Sequence, residues 1–107
     1  MAEKDAGKSP RGDEVNIEAD KQISQGAYSN FVLITHSAEE FVLDFIYVEP
    51  PRDPGPRRGT LRGRIIASPE HTKRILNALT ENMKVYESKF GEIKESPMPS
   101  GEGVKIN

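Results

Sequence analysis

Asp44 stands in the stretch FVLDFIYV, Phe41 to Val48, as the single charge among seven apolar residues. A carboxylate in such a setting has three possible uses: a general acid with a raised pKa, the partner of a buried cation, or a polar group at the rim of a contact surface. General acid–base work calls for a second titratable group at a useful spacing, and no carboxylate or histidine accompanies Asp44 in that way. The rim or structural acid, paired with Arg62, Arg64 or a turn amide, is therefore the expectation. His36 and His71 are the only histidines. A metal site needs three or four converging ligands, and neither an HExxH spacing nor a cysteine is present. Ser37, Ser68 and Thr35 lack the glycine context of a nucleophile elbow, and neither GxxxxGK[ST] nor GxGxxG occurs. The chain is expected to be no enzyme and to use no cofactor.

The densest run of like charge is Arg52 to Arg64, where Arg52, Arg57, Arg58, Arg62 and Arg64 are opposed by Asp53 alone. A stiff basic loop of this kind can grip phosphates or an acidic protein. It can equally shield a sheet edge from aggregation. The second use is favoured, because the whole chain carries a net charge of −2 and the loop has no aromatic residue for base stacking.

The elements that position these residues follow from periodicity. Residues 1–13 offer nothing to bury and read as a disordered tail, and 94–107 return to the same composition. Between them, 14–93 make one domain. Val15, Ile17 and Ala19 alternate with polar residues as a short leading strand would. Lys21 to Gly26 reads as a turn or a single helical turn. Tyr28 to His36 and Phe41 to Val48 are β-branched and aromatic, and the four residues between them suit a hairpin. Pro50, Pro51, Pro54 and Pro56 force a loop. Leu61 to Ala67 resumes strand composition, with Gly63 as a bulge or close-approach point. Ser68-Pro69-Glu70 is a helix start, and Gly91 ends an apolar stripe running from Ile75 to Phe90. The fold class is α+β: an antiparallel three- to four-stranded meander followed by one long C-terminal helix.

Both faces of the two central strands are apolar, whereas one helix can cover only one side of a sheet. At 107 residues with 35% hydrophobic residues and no cysteine, the chain has little else to stabilise it. The face with Val32, Ile34, Val42, Ile46 and Val48, carrying Asp44 at its rim, is expected to pack on another copy. A homodimer formed through the sheet is the simplest such assembly. A further protein partner or nucleic acid, held by the arginine loop, is a second possibility, and a chaperone-like grip on apolar segments a third. No window is apolar enough to span a membrane, and the N-terminus lacks the core of a secretory signal, so a cytoplasmic location is expected.

The blocks GAYSNFVLITHSAEEFVLDFIYVEP and RIIASPEHTKRILNALTENMKVYESKFGEI resemble the DUF3467 family, short bacterial and archaeal proteins of unknown function. The resemblance runs from about Val15 to Ile93. It rests on the Y-x-N opening, the EFVLDF block, the SPEH-x-K helix start and the Y-E-x-x-F-G-x-I end. It implies the same domain limits and brings no catalytic residue with it.

Overall fold

The computed structural model describes residues 12–97 and residue 106. The expected tails fall largely outside the described residues. The elements run α1 (Lys21–Ser24), β1 (Phe31–His36), β2 (Phe41–Val48), β3 (Gly59–Ala67) and α2 (Pro69–Phe90). The strands form one antiparallel sheet in the order β1-β2-β3, with β2 at its centre.

The expected leading strand is absent: Val15 and Ile17 lie outside any strand or helix, both exposed. Alternation over so few residues fixes no partner for them. What precedes β1 is tied instead by side chains. Asn30 Oδ1 accepts from the Val48 N–H at 2.8 Å and Asn30 Nδ2 donates to the Val48 carbonyl at 3.0 Å, so one amide does the work of a further ladder pair. Ser29 Oγ reaches the carbonyls of Phe31 and Ile46, and the Tyr28 ring meets Tyr47 edge-on at 6.0 Å. The Y-x-N block thus closes the open end of the β1–β2 ladder.

The register sets the faces. His36 pairs with Phe41, Ile34 with Leu43 and Val32 with Phe45. An even-numbered connector makes even residues of β1 share a side with odd residues of β2. Val32 and Ile34 therefore lie on the face opposite Val42, Asp44, Ile46 and Val48, and the association set expected from the sequence is divided between two faces. On β3 the pairing shifts between Phe45 and Ile46, so that Phe45 faces Gly63 and Ile46 faces Leu61. Arg62 is the extra residue of this bulge, beside a glycine that nothing crowds within 4 Å.

α2 starts where its chemistry predicts. Ser68 Oγ accepts from the His71 N–H at 3.1 Å, Pro69 occupies the first turn, and Glu70 pairs with Arg74 at 2.6 Å. Gly91, at φ 96°, ends it while its N–H donates to the Glu87 carbonyl. The 22 residues of α2 span about 33 Å, yet none is buried. The buried residues among those described are Leu43, Asp44, Ile46 and Ala67, all in or beside the central strand. Replacing Ser68 with alanine removes the cap acceptor and should destabilise the fold by about 1 kcal/mol. The urea midpoint would fall with the slope unchanged, and an unaltered midpoint would show the cap to be idle.

Candidate association surface

Two cross-strand rows define the polar face. Leu33, Asp44 and Arg64 form one, and Phe31, Ile46 and Leu61 the other. Asp44 is 4% exposed, and Arg64 lies across from it on β3. Arg64 Nε donates to Asp44 Oδ1 at 2.5 Å and Nη2 to Oδ2 at 3.2 Å, a two-pronged pairing that matches the planar guanidinium to the carboxylate. The hydrogen bond first, and the charge of Asp44 second, hold the Arg64 guanidinium above its ordinary pKa. The Arg64 guanidinium thus stays charged through the neutral range. The arginine side chain is 48% exposed, so water solvates one end of the pair while the sheet encloses the other. This geometry makes Asp44 a structural acid that lets a charge sit at the middle of the sheet.

Among the described residues, the paired rows of the opposite face carry no carboxylate, ammonium or guanidinium group. Its rows are Ile34, Leu43 and Ile65, then Val32, Phe45 and Gly63, then His36, Phe41 and Ala67. Leu43 is buried between Ile34 and Ile65, which are themselves 52% and 51% exposed. His36 stacks on Phe41 with ring centroids 5.1 Å apart, which places one histidine in packing. The backbone N–H of His71 belongs to the Ser68 cap. Among the described residues, no group of His, Cys, Asp or Glu is arranged to hold a metal ion, and no helix is long and apolar enough to cross a membrane.

The five arginines have different engagements. Arg64 is committed to Asp44 on the sheet. Arg57 Nε donates to the Glu49 carbonyl at 3.0 Å, and Arg52 lies 3.9 Å from the Glu49 carboxylate. The Arg58 carbonyl accepts from the Glu49 N–H at 2.8 Å, closing the loop at its base. Arg62 rises from the bulge on the outer strand.

A second exposed apolar surface runs along α2. Leu76, Leu79, Met83, Tyr86 and Phe90 all face solvent, and the rings of Tyr86 and Phe90 lie against each other at 4.9 Å. The stripe itself was legible in the sequence. Its exposure among the described residues was not.

Breaking the Asp44–Arg64 pair from its two ends should have unequal effects, because only one partner is enclosed. Arg64→Ala leaves a buried carboxylate unpaired and should lower the thermal midpoint more than Asp44→Ala. Adding Asp44→Ala to Arg64→Ala should recover part of the loss. The reverse order of the two single variants would contradict the structural role.

No curated protein and no solved structure matches the chain. The sequence does match, over residues 1–95, the family described as "Protein of unknown function (DUF3467)". With most of the chain covered, including the whole sheet and α2, the protein belongs to the DUF3467 family.

Proposed function

We propose that this protein is a non-enzymatic interaction module that associates with copies of itself through its uncovered apolar surfaces. The observation that carries the reading is the imbalance of burial. The buried apolar residues among those described are Leu43, Ile46 and Ala67, while Val32, Ile34, Ile65, Ile66 and the α2 stripe remain exposed. Enclosing one such side chain fully is worth roughly 1.5–3 kcal/mol, so covering a few of them rivals the whole stability of a small domain. A second copy is the cover that is present wherever the protein is made, and a two-fold contact lets each copy shield the other.

The face whose uncharged paired rows include Ile34, Leu43 and Ile65 is the part of the sheet best suited to this contact. Desolvating it strands no charge, whereas the other face carries the half-exposed end of the Asp44–Arg64 pair. The arginine loop does not carry the reading, since Arg52, Arg57 and Arg64 are engaged within their own chain.

Size-exclusion chromatography with light scattering at micromolar concentration should return a dimer or a larger species. Ile34→Asp with Ile65→Asp should shift it towards the monomer, because both carboxylates would be desolvated in the contact. A clean monomer of the unaltered protein at every concentration would sink the proposal.

A further inference from the structure

The stripe on α2 has a finer order than amphipathicity requires. Leu76, Leu79, Met83, Tyr86 and Phe90 follow one another at steps of three, four, three and four, and Thr72 continues the series one step earlier. This is the alternation of a helix–helix seam rather than the broader stripe of a helix laid on a sheet. Leu79 is 60% exposed and Phe90 71%, so the seam stands open along its length. We infer that α2 pairs in antiparallel fashion with α2 of a second copy, about a two-fold axis at Glu81. This rests on the self-association proposed above and names the contact that makes it.

Two independent features choose the direction. The first is size. The seam is small at its start and bulky at its end, from Thr72 to Tyr86 and Phe90. Running antiparallel, Leu79 meets the partner's Met83, Leu76 meets the partner's Tyr86, and Thr72 meets the partner's Phe90. Each layer then joins a larger residue to a smaller one and keeps a similar volume, as close packing demands. A parallel pair in register would set Phe90 against Phe90 and Thr72 against Thr72, crowding one end and hollowing the other.

The second is charge. Lys73 and Glu87 each follow a seam position directly, after Thr72 and Tyr86, and so flank the seam on the same side. In the antiparallel pair Lys73 lies beside the partner's Glu87, and the two-fold axis makes this contact twice. Glu87 Oε2 accepts from the Ile93 N–H, which leaves its other oxygen as an acceptor for the ammonium group. In the parallel pair Lys73 finds no opposite charge among the flanking residues of α2. The antiparallel pair also sets the two helix dipoles head to tail.

This arrangement brings the last turn of one helix to the first turn of the other. Phe90 and Ile93, both exposed, then lie by the partner's Thr72, one turn from the junction of β3 with α2.

The test is sedimentation velocity of the full chain at low ionic strength, over a range of concentrations. The unaltered protein should sediment as a dimer, and Leu79→Asp as a monomer. Lys73→Glu and Glu87→Lys should each weaken the dimer by about threefold or more, because two exposed pairs become repulsive. The double variant should return towards the original affinity, since the pair is restored in reverse. These charge variants leave the apolar seam intact, so they decide the matter even if Leu79→Asp fails to fold. A dimer that ignores both charge reversals, or a double variant weaker than either single one, would overturn the helix pair and leave self-association standing. A monomeric unaltered protein would overturn both.

Discussion

The central strand is where this fold holds its few enclosed groups. β2 has a neighbour on each side, and Leu43, Asp44 and Ile46 owe their burial to the side chains flanking them on β1 and β3. Outside that strip the described residues are intermediate or exposed, Ala67 excepted. A three-stranded sheet has only one inner strand, so its edge positions can be enclosed only by a second layer. Here α2 leaves β3 through Ser68 and exposes its own apolar stripe instead of spending it on the sheet. Sheet and helix thus present two exposed apolar surfaces on one small chain.

The polar features serve the same strip. Asp44 would be a costly guest beside Ile46 without Arg64 reaching across from β3, and the two-pronged geometry satisfies both carboxylate oxygens. Asn30 and Ser29 supply at the open end of the hairpin the hydrogen bonds that a longer strand would have made. The loop Glu49 to Arg58 ties itself at its base through paired backbone groups and through Arg57. Charge and amide chemistry here hold a thin sheet in shape.

Much of this was legible in the residues. Ser68-Pro69-Glu70 and Gly91 mark both ends of α2 because capping is local chemistry, readable from side-chain type alone. The three main strands follow from composition, and the bulge falls beside Gly63 as its missing side chain suggests. Register is another matter. The sequence analysis grouped Val32 and Ile34 with Val42 and Ile46, although the connector Ser37 to Glu40 has an even length and so pairs His36 with Phe41. Counting across that turn would have divided the set correctly. The role of Asn30 was hidden because a side chain imitating a strand has no periodic signature. The arginines of the loop look clustered in one dimension, and only the course of β3 sends Arg64 to the sheet while Arg57 stays at the loop's base.

The central claim is that the folded chain needs a second copy to enclose its apolar surface. Unfolding linked to dissociation depends on concentration, whereas unfolding of a self-sufficient monomer does not. The direct measurement is the thermal unfolding midpoint of the full chain over a hundredfold range of protein concentration. The account predicts a midpoint that climbs steadily as the protein becomes more concentrated. A midpoint that stays fixed across that range, with unfolding still reversible, would contradict it.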